Sequence, residues 1–272
     1  MVIFVNGNAL RFCYNLRRPQ LSCPGCSGYG SGIQKYGFCE KTEVIDEIRT
    51  RKDLVELVNE IGFLPFFSCR IDGFSVEDNI SYDAWYQGRW SGKIHWDAWD
   101  WKGQVLQNRE LVYGKFFEKK AGFISLELWP DFCNYRRDGY DFDARFDDGL
   151  ASYKDKDVVD YITGAGAVLT RDIKDALNYK KGGNKGFETV ITRLQMETYV
   201  VPVNYEYSKR KDGEEYGWGN CRYDIAEKYW GRKLCRSEYK RSSEESLGRI
   251  IKHARKILPG LDEDELRILL KA

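Results

Sequence analysis

Four cysteines near the amino terminus carry the clearest potential for metal chemistry. They are Cys13, Cys23, Cys26 and Cys39, spaced Cys-x9-Cys-x2-Cys-x12-Cys. A Cys-x2-Cys turn supplies two thiolates from one knuckle, and four thiolates bind Zn²⁺ tetrahedrally. The spacing predicts a structural zinc site, while ordinary buried thiols remain the alternative because the two outer cysteines stand alone. Eight cysteines in 272 residues are too dilute for a disulfide scaffold.

The segment 134–149 is a second group with chemical potential, because it combines arginines with five aspartates. A calcium loop needs glycine at its sixth position and glutamate at its twelfth, and no register from Asp138 or Asp141 satisfies this pattern. We therefore expect Arg–Asp pairs within the segment, or a catalytic carboxylate that the spacing does not single out. Arg136 and Arg137 are also candidate contacts for nucleic acid.

Composition excludes several other kinds of site. The chain has 2 His, a formal net charge of +1 and 15% aromatic residues. A His-rich metal centre is excluded, and so are a bulk polycation and a disordered chain. The apolar run at the amino terminus is too short for a signal peptide, and no segment reaches the roughly 18 apolar residues of a membrane span. We expect a soluble, cytoplasmic protein without a membrane partner.

Aromatic residues are concentrated in the segment 82–130. Seven of them lie close together, namely Tyr82, Trp85, Tyr86, Trp90, Trp96, Trp99 and Trp101. Such rings can stack on unpaired bases, or they can fill a core. The stretch YGKFFEKKAGF interleaves rings with Lys115, Lys119 and Lys120. This pattern suits a nucleic-acid surface and equally a half-buried strand or helix.

Residues 157–223 hold the clearest supersecondary pattern. A first helix begins near Val158, and a second is expected to start with Thr170 as its N-cap. The third carries an i, i+3, i+4, i+7 apolar stripe, made of Phe187, Val190, Ile191 and Leu194. Two β-rich segments follow, joined by a charged Asp-Gly turn. Three helices followed by a hairpin predict a winged helix, whose third helix enters the major groove of double-stranded DNA.

Candidate DNA contacts follow from that prediction. The outward face of the third helix is expected to present Glu188, Thr189, Thr192, Arg193 and Gln195. The hairpin turn presents Lys209, Arg210 and Lys211 to the phosphates. Winged helices also serve as protein-interaction modules, so a protein partner is the alternative.

The remaining segments complete the expected organisation. A helix over residues 43–62 should end at Gly62, and Ser75 should cap a short helix. Residues 228–241 hold six basic residues and one acid, which suits a phosphate-binding surface or a solvated flank. Capping boxes at Ser242 and Asp262 predict two final helices. We expect four parts: 1–42 with the cysteines, 43–150 with the aromatic set, 151–231 as a winged helix, and 232–272.

Three long blocks resemble a known family. YGKFFEKKAGFISLELWPDF, NYRRDGYDFDARFDDGLAS and GFETVITRLQMETYVV are similar to AlkZ-related bacterial proteins, relatives of the AlkZ-like DNA glycosylases. The resemblance covers roughly residues 50–231 and leaves the cysteine-bearing start and the tail outside. It implies an α+β fold of tandem winged-helix units with helical additions at both ends.

The resemblance also implies a chemistry. AlkZ-like enzymes excise alkylated bases without a metal or cofactor, using a Gln-x-Gln or Gln-x-Asp pair that positions water and stabilises the developing sugar cation. At the matching place this chain has IGFLPFF, residues 61–67, without paired polar groups. Its Gln-x-acid sequence is Gln195-Met196-Glu197. Gln195 could orient water and Glu197 could act as base, or they could be a surface residue and the start of a strand.

Three functions therefore remain open from the sequence. The first is a winged-helix DNA-binding protein that acts on damaged DNA. The second is an active DNA glycosylase that hydrolyses the N-glycosidic bond, and the third is a non-catalytic interaction module. No cofactor is expected apart from the structural zinc.

Overall fold

Two units make up the chain, Met1–Val44 and Ile45–Ala272. The structure is a computed structural model that describes residues 2–5, 8–11, 47–85, 98–213 and 215–271. In the first unit an antiparallel hairpin joins two short strands, β1 (Val2–Val5) and β2 (Asn8–Arg11).

Helix α1 (Arg51–Ile61) is the first helix of the second unit. The Thr50 side chain accepts a hydrogen bond from the Asp53 N–H, and the Asp53 carboxylate accepts one from the Thr50 N–H. This capping box starts the helix at Arg51, later than the sequence predicted. Gly62, with φ 96°, ends the helix as predicted.

A three-stranded antiparallel sheet completes the first half of this unit, residues 51–125. Its elements are β3 (Phe63–Pro65), α2 (Val76–Asn79), α3 (Ala98–Gln107), β4 (Leu111–Phe117) and β5 (Lys120–Ser125). The strand order is β3-β5-β4, so β4 lies at one edge. Ser75 caps α2 as predicted, since its side chain accepts a hydrogen bond from the Asp78 N–H.

The basic and aromatic stretch YGKFFEKKAGF forms the hairpin between β4 and β5. Phe117 pairs with Lys120, which leaves a two-residue turn at Glu118 and Lys119. Both turn residues have positive φ, 47° at Glu118 and 65° at Lys119. Glycine or asparagine is the usual residue at such positions, so the turn holds these two side chains at a conformational cost.

The second half, residues 153–225, repeats this order of elements. Its elements are α6 (Tyr153–Ala165), β6 (Val168–Leu169), α7 (Thr170–Ala176), α8 (Phe187–Met196), β7 (Val200–Lys209) and β8 (Glu215–Ile225). In both halves a helix, a short strand and further helices precede a hairpin whose second strand lies at the centre of the sheet. The strand order β6-β8-β7 makes β7 an edge strand. Mixed helices and small antiparallel sheets confirm the α+β class.

The second half confirms the apolar stripe of its third helix and corrects one cap. All four stripe residues of α8 are buried, namely Phe187, Val190, Ile191 and Leu194. The N-cap of α7, however, is Leu169, and Thr170 is the first helical residue. The Thr170 hydroxyl instead donates to the carbonyl oxygen of Cys221 at 2.9 Å, which ties α7 to β8.

Two helices connect the halves, α4 (Trp129–Arg137) and α5 (Phe142–Asp147). The Arg–Asp pairs expected within this segment do not form at its arginines. Arg137 pairs instead with Glu227 at 2.8 Å, and Arg145 pairs with Glu197 at 3.2 Å. The segment is therefore tied to later parts of the chain rather than to itself.

The carboxyl-terminal part is helical. A π-helical turn (Glu227–Gly231) leads into α9 (Arg232–Cys235), followed by α10 (Ser243–Ile257) and α11 (Glu263–Leu270). Ser242 and Asp262 cap the last two helices, as predicted. Asn134 on α4 donates to the Ser246 hydroxyl of α10 at 2.9 Å. No helix among the described residues is long and apolar enough to cross a membrane.

Candidate functional site

The two halves meet where the edge strand β4 contacts helix α8 and strand β7. We call this contact the seam. The backbone N–H of Lys115 donates to Gln195 Oε1 at 3.1 Å, and Lys115 Nζ lies 3.2 Å from the Thr192 hydroxyl oxygen. Gln107 donates to the Asn204 side chain at 3.0 Å, which joins α3 to β7. Polar contacts from α8 therefore fix the position of β4, and one from β7 fixes α3.

Gln195 is the central residue of the seam. Its Oε1 accepts from Lys115, its Nε2 donates to the carbonyl oxygen of Ile191 at 3.0 Å, and the residue is 1% exposed. An edge strand presents backbone groups without strand partners, and here a side-chain amide satisfies one of them. Both the oxygen and the nitrogen of the side-chain amide therefore form hydrogen bonds within the protein.

Arg136 also links β4 and α8, through the residue that follows each of the two seam residues Lys115 and Gln195. Its guanidinium donates to the carbonyl oxygens of Phe116 at 2.9 Å and Met196 at 3.1 Å. These residues directly follow Lys115 and Gln195 in the chain. No ion pair to Arg136 is found among the described residues, its Nε has no hydrogen-bond partner there, and burial lowers its pKa to about 10. A cation without a neighbouring acid thus lies beside the seam.

A pocket of about 340 Å³ opens at the seam. We call it the seam pocket. Its basic side chains are Lys115, Lys119 and Lys120, and its rings are Phe67, Trp99, Tyr113, Tyr205 and Tyr223. Gln195 and Pro202 contribute from the second half. None of its described lining residues is acidic, although acids and bases balance in the chain as a whole.

The tyrosine hydroxyls in the seam pocket are protonated, and they form hydrogen bonds with one another and with Cys221. Burial raises the pKa of Tyr113, Tyr205 and Tyr223. Cys221 also has a raised pKa, about 12, because it is buried, so its thiol is neutral. Lysine ammonium groups donate and cannot accept. The three lysines therefore give the pocket a positive charge, which favours a ligand with anionic acceptor atoms.

Comparison with known proteins identifies the family of this chain. The model of the family described as AlkZ related matches residues 48–271, which is most of the chain. The chain belongs to the AlkZ-related family. No curated protein and no solved structure gives a significant match. The family match includes both halves, the seam and also the tail beyond residue 231, which the sequence placed outside the resemblance.

The predicted outer face of α8 in this AlkZ-related chain is only partly exposed. Glu188 and Thr189 are exposed, whereas Thr192 is 8% exposed. The prediction that Thr192 and Gln195 are surface residues is wrong, because this part of α8 packs against β4. Arg193 is held by the buried Asp155, with Nη2 and Oδ1 2.5 Å apart.

The turn between β7 and β8 presents the three predicted basic residues. Lys209, Arg210 and Lys211 are all exposed. Lys209 lies 3.8 Å from Glu215, and the Arg210 guanidinium lies 5.8 Å from the Tyr216 ring. Their role as phosphate contacts stays a prediction.

Arg136 and Arg137 lie in the interior, which removes them from any DNA surface. Arg137 is 0% exposed, donates to both the hydroxyl and the carbonyl oxygen of Thr198, and pairs with Glu227. The sequence offered these arginines both as partners of nearby aspartates and as candidate contacts for nucleic acid. Residues far along the chain bury helix α4, and a local sequence pattern does not show such contacts.

Glu197 lies at the end of α8 rather than at the start of a strand. It is the C-cap residue, and β7 begins at Val200. Arg145 Nη2 donates to Glu197 at 3.2 Å, and burial nevertheless raises the pKa of this carboxyl. Gln195 lines the seam pocket and Glu197 does not. The structure thus does not bring the two predicted catalytic residues into one pocket.

The remaining predicted sites are only partly described. Cys13, Cys23, Cys26 and Cys39 lie outside the described residues, so their zinc site stays a prediction. Among the residues that the structure does describe, no group of three or more His, Cys, Asp or Glu is arranged to hold a metal. In the basic stretch 228–241, Arg236 pairs with Glu227 and Arg241 with Glu238, whereas Lys233 and Lys240 are exposed.

The aromatic set serves several purposes. Trp101 is buried, Tyr82 is 56% exposed, and Trp99 lines the seam pocket. Tyr86, Trp90 and Trp96 lie outside the described residues. Sequence reasoning missed Tyr205 and Tyr223 as site residues. The pattern of YGKFFEKKAGF was the usable signal, because it placed three lysines of the pocket on one stretch.

Proposed function

We propose that this AlkZ-related protein binds double-stranded DNA and acts on damaged DNA without excising a base. The observation that carries the proposal is the charge of the seam pocket, whose described lining holds three lysines and no acid. Phosphate contacts from lysine and arginine dominate the affinity of proteins for DNA. A neutral chain that concentrates positive charge at one concave site is suited to that task.

The hairpin turns support the proposal. Lys119 and Lys120 are exposed at the turn of the first half, and Lys209, Arg210 and Lys211 at the equivalent turn of the second half. If both halves are winged helices, their hairpins lie along phosphates. Basic residues at equivalent turns suit one duplex contacted by both halves.

The mode of DNA contact follows from the exposed surface of α8. Of its predicted base-contacting residues, Thr189 is exposed, whereas Thr192 is buried and Arg193 is paired with Asp155. Contacts to phosphates fix position without reading sequence. We therefore expect binding with little preference for base sequence.

Base excision is the weaker candidate. The transition state of glycosidic cleavage is cationic, so lysines around it oppose the reaction. Gln195 has both ends of its amide engaged, and Glu197 lies outside the seam pocket. The observed arrangement thus favours binding over hydrolysis.

Fluorescence anisotropy with duplexes of unrelated sequence, titrated with salt, tests the proposal. We expect similar affinities and a linear fall of log K with log salt. Absence of binding at low salt would contradict the proposal and leave the protein-interaction module. In parallel, duplexes bearing a bulky alkylpurine are assayed for release of base with the wild type, Gln195→Ala and Glu197→Ala. Base release that both variants abolish, while Thr189→Ala retains it, would show an active glycosylase instead.

A further inference from the structure

The seam pocket has a size and chemistry that are more specific than attraction to a DNA backbone. Its volume of about 340 Å³ falls within the ordinary range of small-molecule sites, roughly 300–1,000 Å³. Its lining combines aromatic rings with three lysines. A ligand that uses both must carry a planar ring and an anionic group.

The walls of the pocket come from both halves. Phe67 and Trp99 lie on the first half, with ring centroids 6.0 Å apart, and Tyr205 lies on β7 of the second. Lys102 Nζ lies 3.7 Å from the Trp99 centroid and 4.9 Å from the Tyr205 centroid, so it holds these two rings around one cation. Aromatic side chains of this kind stack on nucleobases.

Hydrogen bonds hold two of the pocket's lysines, and the third lies on the hairpin turn. Lys120 Nζ donates to the carbonyl oxygen of Ser68 at 3.0 Å, and Lys115 Nζ lies 3.2 Å from the Thr192 hydroxyl oxygen. Lys119 has φ 65°, a conformation in which glycine would be free of strain. Strained non-glycine residues are concentrated at binding and catalytic sites. The turn therefore carries a lysine at this position at a conformational cost.

We propose that the seam pocket binds one 5′-phosphorylated nucleotide, with its ring against the aromatic walls and its phosphate against Lys115, Lys119 and Lys120. This inference rests on the proposed function and specifies the ligand of the same site. The nucleotide comes either from an unpaired position of a duplex or from free nucleotide in solution.

Binding of deoxyguanosine 5′-monophosphate, measured by quenching of intrinsic tryptophan fluorescence, tests the phosphate requirement. We expect deoxyguanosine to bind at least tenfold more weakly than the monophosphate. Lys119→Met should weaken monophosphate binding at least tenfold, and the matched change Lys256→Met, an exposed lysine on α10, should leave it unchanged. Lys119 is exposed, so its substitution preserves the fold.

Two duplexes separate the sources of the nucleotide. One is fully paired and the other contains a single unpaired guanosine nucleotide. Tighter binding of the second duplex, abolished by Lys119→Met, would support the pocket and assign it to DNA. Monophosphate binding without this preference would support the pocket and assign it to free nucleotide. If the monophosphate binds no better than the nucleoside and the unpaired duplex binds no better than the paired one, the pocket proposal is overturned.

The same measurements keep the two proposals distinguishable. Binding of the fully paired duplex at low salt reports only on the proposed function. If the wild type binds the monophosphate but not the fully paired duplex, DNA binding alone is overturned. Intact duplex binding without either pocket response would overturn the nucleotide site alone.

Discussion

Gln195 Oε1 lies 3.1 Å from the backbone nitrogen of Lys115 and accepts its hydrogen bond, 80 residues away in the chain. Gln195, which the sequence named with Glu197 as a catalytic candidate, thus uses its side-chain amide to hold the edge strand β4. Its role can be measured apart from DNA, and it gives the first prediction.

Gln195→Ala should lower the free energy of unfolding by about 1–3 kcal/mol, because it leaves the backbone N–H of Lys115 without its hydrogen-bond partner at the seam. Urea denaturation monitored by circular dichroism measures this change. Thr189→Ala, on the exposed side of the same helix, is the control and should change stability by less than about 0.5 kcal/mol. Equal stability of Gln195→Ala and the wild type would contradict the structural role.

Lys119→Gly should stabilise the fold and weaken the site at the same time. Glycine removes the cost of a left-handed conformation at φ 65°, which is about 1 kcal/mol. The same change removes one of the three lysines of the seam pocket. Urea denaturation should show the gain, and duplex anisotropy should show a loss of affinity. A stability that falls together with affinity would mean that the turn has no strain to release.

The double substitution Lys209→Ala and Arg210→Ala should weaken DNA binding about equally for all sequences. Two lost phosphate contacts should reduce the slope of log K against log salt by about two. Anisotropy titrations at several salt concentrations measure this slope. Lys252→Ala with Lys256→Ala, on α10, removes the same charge outside both hairpins and serves as the control. An unchanged slope would remove the β7–β8 turn from the DNA surface.

Glu197→Gln should change the pH dependence of stability. Burial raises the pKa of Glu197 in the folded protein, so the folded state binds this proton more tightly than the unfolded chain does. The carboxyl therefore favours folding most at low pH. This contribution is lost as pH rises from the unfolded pKa of about 4.3 through the higher folded value.

A glutamine carries no such titration, so the stability of the variant relative to the wild type should rise across that window. Urea denaturation of both proteins between pH 4 and pH 7 measures the difference. Glu188→Gln, at an exposed position of the same helix, separates burial from the loss of one charge. A difference that stays constant with pH would argue against a raised pKa.

The cysteine spacing predicts the metal content of the purified protein. If Cys13, Cys23, Cys26 and Cys39 bind zinc, the purified protein should contain about one equivalent of the metal. Elemental analysis of protein prepared without chelator measures it. Ser substitutions at Cys23 and Cys26 should remove the metal, whereas Cys69→Ser should not. Protein without zinc would leave these residues as ordinary thiols.

Local sequence patterns predicted many helices, caps and strands of the second half, but fewer of the contacts between elements. The α8 stripe, the β7–β8 hairpin and the caps at Ser75 and Ser242 follow from residue spacing alone. The alternation of YGKFFEKKAGF was compatible with strand or helix, and only its pairing made it a hairpin. Thr170 has the side chain of an N-cap, but its hydroxyl instead bonds to Cys221 on β8.

The site was harder to predict because it is made by contacts between distant segments. Thr192 and Gln195 are polar residues on the side of α8 away from its apolar stripe, which ordinarily faces solvent. Here β4 covers that side, and no periodicity in α8 indicates a second partner. The same holds for Arg136 and Arg137, whose burial depends on Met196, Thr198 and Glu227.

The meeting of the two edge strands has a practical consequence for anyone who divides this protein. Strand β4 is protected by α8 and β7, and β7 is protected in turn by α3 through the Gln107–Asn204 contact. A fragment that ends between the halves would leave an uncovered strand, which is a template for pairing with a second copy. We therefore expect separately expressed halves to self-associate, whereas coexpression of both fragments should restore a soluble one-to-one complex.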